Sequence, residues 1–234
     1  MSPSSARPAS PPAPAVAVRV WDLPTRLFHL LLLSGVVALV VSGQIGGDLI
    51  VWHMRLGLAV GALLLFRLVW GVVGGRWSRW SRIVRGPLTV WRYLRGRTRP
   101  EDGLEIGHNP LGGGSVLAMM AVLLAQVGSG LVADDEIATT GPLYRFVSGD
   151  TALAATAWHT GDGKRLLLGL IALHVLAVLA HQLRGHALIG PMLSGDRWLP
   201  PGTPGSADGA AERLRALVLA AVCGLAAWWV GRLG

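Results

Sequence analysis

Five runs of mostly apolar residues, at roughly 27–45, 53–74, 113–132, 165–183 and 212–231, dominate this chain. Each has about the 17–25 residues that cross a hydrocarbon core about 30 Å thick. No water reaches such a core, so every backbone N–H and C=O must be paired within the protein. Only helices and closed barrels achieve that. The runs are continuous, rich in Leu, Ala, Val and Gly, and lack the period-two alternation of barrel strands. Composition points the same way. Hydrophobic residues make up 52% of the 234 residues and charged residues 15%, against about 25% charged in a soluble domain. The expected fold class is an all-α integral membrane protein: a four-helix transmembrane bundle plus a fifth C-terminal transmembrane helix.

Charge orients the spans. Arg76, Arg79, Arg82, Arg85, Arg92, Arg95, Arg97 and Arg99 fall in one loop between spans two and three, and Arg19 and Arg26 precede span one. Lys and Arg concentrate in cytoplasmic loops. The loop at 133–162 carries Asp134, Asp135, Glu136, Asp150 and Asp162 against Arg145 alone. The N-terminus and the 75–111 loop are therefore expected in the cytoplasm and the C-terminus on the far side. The net charge of +8 reads as a topology signal rather than a nucleic-acid footprint, so no nucleic-acid partner is expected.

Residues 1–16, rich in Pro, Ser and Ala, read as a disordered tail, and residues 17–196 as the main transmembrane domain. Residues 197–211, which include PPGTPGSADG, read as a flexible linker to an appended helix at 212–234. The single cysteine, Cys223, permits no intrachain disulfide, and without Cys-x-x-Cys-His there is no covalent haem attachment.

Four histidines lie within or at the edge of the apolar runs: His29, His53, His159 and His174. Ionisable groups at such depth are costly and mark function. Neutral imidazole is a strong iron ligand, and two close both axial positions of a haem. The orientation turns sequence into depth. His29 lies near the cytoplasmic side of span one, and His53 opens span two on the outer side. His159 stands just before span four, and His174 is well inside it. Fifteen residues separate the last two, about 22 Å along a helix. Depth pairs His29 with His174 around one haem and His53 with His159 around another. His181, on nearly the same face as His174, is the rival ligand. The competing reading of each histidine alone is an interfacial residue or a helix cap.

Arg67 lies about 21 Å deeper than His53 along span two, at the depth of the cytoplasmic-side pair. A buried guanidinium needs an anion, and a haem propionate is one; snorkelling to headgroups is the alternative. Arg55, Lys164 and Arg165 cluster at the outer side, where they can pair with propionates or anchor at the interface. In GHNPLGG (107–113), Asn109 suits an N-cap and Pro110 the first helical position, so His108 opens span three. A structural role for His108 stands beside one in a quinone or partner site.

The motifs VWDLPTRLFH (20–29), WHMRLG (52–57), FRLVWGVVG (66–74), GHNPLGG, QVGSGLVADDE (126–136), WH (158–159), LIALHVLAVLAH (170–181) and IGPMLSG (189–195) occur in this order. The ordered set resembles the prokaryotic cytochrome b561 family, which includes the b-type cytochrome subunit of nickel-iron hydrogenases. The resemblance covers roughly 20–196 and leaves out the fifth span. It implies a four-helix protein of the bacterial inner membrane with two haem b groups. His29, His53, His159 and His174 match the family's ligands, and Arg67 its R-x-x-W-G.

The function this implies is electron transfer between the quinone pool and a periplasmic redox partner, either a c-type cytochrome or a hydrogenase. The chain would then be the electron-transfer subunit of an oxidoreductase system. A homodimer is compatible with this reading. Two other readings stand beside it. One is superoxide oxidation coupled to quinone. The other is a haem-free transporter or assembly factor, which the lack of Asp or Glu in the first four spans disfavours.

Overall fold

The structure is a computed structural model that describes residues 14–97, 104 and 106–234. Among these residues five long helices are apolar enough to cross a membrane. They are α1 (Leu23–Ile45), α2 (Ile50–Val73), α5 (Pro110–Val132), α7 (Asp162–Leu183) and α9 (Ala210–Gly231). Shorter helices lie between them: α3 (Trp80–Ile83), α4 (Pro87–Leu94), α6 (Gly149–Thr160) and α8 (Ile189–Ser194). Most of the expected tail, and Arg99, lie outside the described residues.

Local chemistry sets where the helices start. The Asp22 carboxylate caps α1 by accepting from the Thr25 N–H at 2.8 Å, with Pro24 in the first turn. Asn109 caps α5 by accepting from the Gly112 N–H at 2.7 Å, with Pro110 following. Ser148 caps α6. The expected straight run from His159 to His174 is instead two helices that meet at Gly161. The Gly161 N–H donates to the Ala157 carbonyl and its own carbonyl accepts from Arg165, so pairing continues through the joint.

The core is thin. Phe28, Val60, Leu64, Phe66, Trp70, Met120, Leu123 and Leu167 form its centre, and α2 packs on α1, α5 and α9. Most other apolar side chains on these helices face outward, as lipid allows. Among the described residues, α7 packs on α5 and α6 and makes no extended contact with α1.

Three sequence expectations change. The fold is mostly helical rather than all-α, because Val16–Arg19 (β1) pairs antiparallel with Asp196–Leu199 (β2), with Arg19 opposite Asp196. Val16 thus already belongs to a strand and not to a tail. The segment read as a flexible linker is a strap tied across the end of the bundle that carries β1 and Trp77. The Ser206 N–H donates to the Arg19 carbonyl at 2.7 Å and its hydroxyl to the Val20 carbonyl at 2.8 Å. The Trp77 indole N–H donates to the Pro204 carbonyl at 2.9 Å. The Asp208 carboxylate accepts from Arg19, from the Leu23 N–H and from Arg213. Proline and glycine rule out helix there, but they say nothing about tertiary partners. Nor is α9 an appendage, because Ala216 and Cys223 are buried in the same core as α2.

Candidate functional site

His53 lies in the first turn of α2 and His159 in the last turn of α6. Their ring centroids are 5.9 Å apart and their planes 86° from parallel. Two imidazoles sharing one ion through bonds of about 2 Å have centroids roughly 6 Å apart. Each ring is held from behind. His53 Nδ1 is 3.1 Å from the Leu39 carbonyl and 3.2 Å from Ser42 Oγ. His159 Nδ1 is 2.9 Å from the Gln126 carbonyl and 3.3 Å from Ser129 Oγ. A carbonyl only accepts, so the proton sits on Nδ1 and the Nε2 lone pair is left to bind a metal. Two glycines make room. A Cβ on Gly130 of α5 would lie 2.9 Å from His159 Cε1, and one on Gly43 of α1 would lie 3.1 Å from His53 Cε1.

His29 and His174 lie on α1 and α7, half-buried and within electrostatic reach of one another. The buried His29 Nδ1 has no hydrogen-bond partner. Beside them stands His108, its ring edge-on to Trp21 at 5.0 Å and its Nδ1 enclosed without a partner. Burial, with Arg67, His174 and His29 nearby, pushes His108 down to about 4, so it is neutral at physiological pH.

Arg67 is buried at 4% exposure. One guanidinium nitrogen donates to the Ser78 carbonyl at 2.9 Å, and the group stacks 4.3 Å above the Trp80 ring. Its Nη1 is buried with no partner. Snorkelling to headgroups would leave it exposed, so that alternative is set aside.

Arg55, Arg165 and Lys164 are each engaged with a different partner. Arg55 is exposed and lies over the Trp52 ring at 5.2 Å. Arg165 is exposed and bonded to Asp162 at 2.8 Å. Lys164 alone comes near the pair, donating to Gln44 at 3.3 Å and lying within electrostatic reach of His159. His181 bonds back to the Ala177 carbonyl of its own helix at 2.8 Å and stacks edge-on with His186.

Sequence reasoning passed over Asp22. It is fully buried, and its carboxylate accepts from Thr25 N–H, Trp70 indole N–H, Gly75 N–H and Ser78 hydroxyl. A Cβ on Gly75 would collide with its Oδ2. Asp22 thereby ties the start of α1 to the end of α2 and the turn that holds Arg67. The signal was present: Asp-Leu-Pro-Thr is an N-cap pattern, and an N-cap at a membrane face must satisfy its charge internally.

Among the described residues, no group of three or more His, Cys, Asp or Glu is arranged to hold a bare metal ion. Paired imidazoles instead suit an ion that brings its own equatorial ligands, as haem does. The unpartnered Nη1 of Arg67 and Nδ1 of His29 and His108 fit a cofactor with polar substituents at that end.

A family profile described as prokaryotic cytochrome b561 matches residues 20–195. Two relatives are each 25% identical over 217 residues, covering 76% of this chain and 89% of their own length. Both are named "Probable Ni/Fe-hydrogenase 1 B-type cytochrome subunit", one from Escherichia coli strain K12 and one from Escherichia coli O157:H7. No solved structure matches.

Proposed function

This chain belongs to the prokaryotic cytochrome b561 family, and from that premise we propose that it is a dihaem b-type cytochrome carrying electrons between membrane quinone and a periplasmic redox partner. The observation that carries the reading is the facing pair of His53 and His159, each with Nδ1 on a backbone carbonyl. That arrangement fixes the tautomer and leaves the Nε2 lone pair free before any ligand arrives.

Haem b, when held by these imidazoles, would supply a one-electron ferric/ferrous couple. The chain's part is positioning. His53 and His159 hold the outer site, and His29 and His174 hold the inner one. Arg67, locked by Ser78 and Trp80, offers its free Nη1 to an acidic cofactor substituent at the inner site. Lys164 is the outer cation placed to do the same.

The arginine-bearing end, with both β strands and the strap, faces the cytoplasm in this reading, and the acidic loop faces the periplasm. Asp135 is held down at about 2 by the N–H groups of Thr139, Ala138 and Ile137, so it stays charged. With Asp134, Glu136 and Asp150 it gives the periplasmic end an acidic surface, which suits a basic docking partner such as a c-type cytochrome. A hydrogenase partner is drawn from the relatives' names alone.

The test is a reduced-minus-oxidised spectrum of the purified chain with pyridine haemochrome quantitation. Two b haems per chain and a sharp reduced α-band are expected. One haem per chain breaks a pair assignment, and none overturns the electron-transfer reading.

A further inference from the structure

The helix outside the family match builds a site of its own. Between α2 and α9 runs an apolar cleft of about 540 Å³, lined by Val69 and Val73 on one side and by Leu214, Val218 and Val222 on the other. It follows α9 from Ala211 to Val222, about 16 Å of helix rise. That is the depth of one leaflet of a hydrocarbon core about 30 Å thick. The cleft lies at the arginine-bearing end, where α2 finishes and α9 begins.

At its mouth the chemistry changes. A second, polar cavity of about 220 Å³ adjoins it, and the two share Val73 and Arg215. Arg76, Arg79 and Arg215 line this rim, with Glu212 as its one acidic group. Glu212 accepts from the Gly209 N–H at 3.0 Å and so is engaged in capping α9. Arg79 spends its Nε on the Gly74 carbonyl, and Arg76 lies over the Trp77 ring at 5.9 Å. All three arginines are exposed. The strap supplies the rest of the rim through Gly205 and Ala207, and its hydrogen bonds to β1 hold that wall in place.

We infer that the α2–α9 cleft and its arginine rim form a binding site for one anionic glycerophospholipid, an acyl chain in the cleft and the phosphate between Arg76, Arg79 and Arg215. Neither half makes the case alone. A lipid-facing cleft accepts any acyl chain, but three arginines against one acid select a negative headgroup. Basic pockets between transmembrane helices at the cytoplasmic surface are where anionic headgroups bind. The occupant then seals α9 to the bundle and shields the rim charges from one another.

The test uses the full chain, haem-loaded and stripped of lipid in mild detergent, with phosphatidylglycerol or phosphatidylcholine added back and counted by native mass spectrometry. One phosphatidylglycerol retained per chain, at least tenfold over phosphatidylcholine, is expected. Arg215→Gln, at an exposed position, lowers retention at least threefold. Arg76→Gln with Arg79→Gln and Arg215→Gln lowers it tenfold, and Val218→Trp, which fills the cleft, does likewise. Arg92→Gln in α4 with Arg95→Gln just after it, at the same membrane face, leaves it unchanged. Equal retention of both lipids overturns the proposal, as does undiminished binding in Arg215→Gln. A quinone or a second copy of the chain found in the cleft overturns it too. Haem content read in the same spectra keeps a failure here separate from a failure of the electron-transfer reading.

Discussion

His53 and His159 stand on different helices with ring centroids 5.9 Å apart and planes nearly perpendicular, at 86°. Each is pinned through Nδ1 to a carbonyl of a neighbouring helix, Leu39 of α1 for one and Gln126 of α5 for the other. Four helices thus converge on one pair of nitrogens. His53→Ala is expected to remove one haem and leave the second, and His174→Ala to remove the other. Haemochrome quantitation counts them. If these two imidazoles hold one haem, their perpendicular planes would give it a strongly anisotropic low-spin ferric EPR signal that His53→Ala removes. Retention of both haems in either variant would sink the corresponding pair.

The closeness of α5 to His159 depends on Gly130, whose added Cβ would meet the imidazole at 2.9 Å. Gly130→Val forces the ring from its position, so a haem held by His53 and His159 would be lost from the chain. Overpacking at such a contact costs about 1–3 kcal/mol. Gly224, on α9 and away from the histidines, has open space around its Cβ. Gly224→Ala keeps both haems and stabilises α9 by roughly 0.5–1 kcal/mol through helix propensity. Comparing haem content and thermal midpoints of the two variants separates steric contact from a general intolerance of glycine replacement.

Removing the Asp22 carboxylate strands four buried donors and the buried charge of Arg67 together. Breaking a buried charged network by deleting one partner costs about 3–5 kcal/mol. Asp22→Ala should therefore lower the thermal midpoint sharply, and Asp22→Asn less, since an amide still accepts from some of these donors. Haem loss on mild heating should start at the His29–His174 site, which shares His108 as a neighbour with Arg67. A midpoint unchanged from the parent chain would show that the network carries no weight.

Asp208 supplies the pH dependence. Burial raises its carboxyl, but hydrogen bonds and charge from Arg213, the Leu23 N–H and Arg19 together hold it below the usual range. A carboxylate lowered by folding contributes stability that is present above its unfolded value of about 4 and lost as pH falls through the lower folded value. The strap and β1 should stay attached at neutral pH and loosen only in acid. Amide hydrogen exchange over residues 16–22 and 200–209 measures this, with Asp208→Asn loosening both segments already at pH 7. Exchange in the variant as slow as in the parent at pH 7 would contradict it.

Much of the fold is visible along the chain because its solvent is lipid. A bilayer demands a fixed length of continuous apolar residues, so the five spans can be located by counting, whereas the joint at Gly161 that separates His159 from His174 cannot. The N-caps at Asp22 and Asn109 are equally local, being settled by the next three residues. Which imidazole stands against which carbonyl, the burial of Asp22 and the free Nη1 of Arg67 are different in kind. Each depends on helices distant in sequence and on the side chains they bring into contact. The strap shows the difference most plainly. Pro, Gly and Ser mark residues 200–209 as irregular, and irregular they are. Their attachment to β1 and Trp77, and with it the packing of α9 on α2, exists only because tertiary folding places unpaired backbone groups opposite one another.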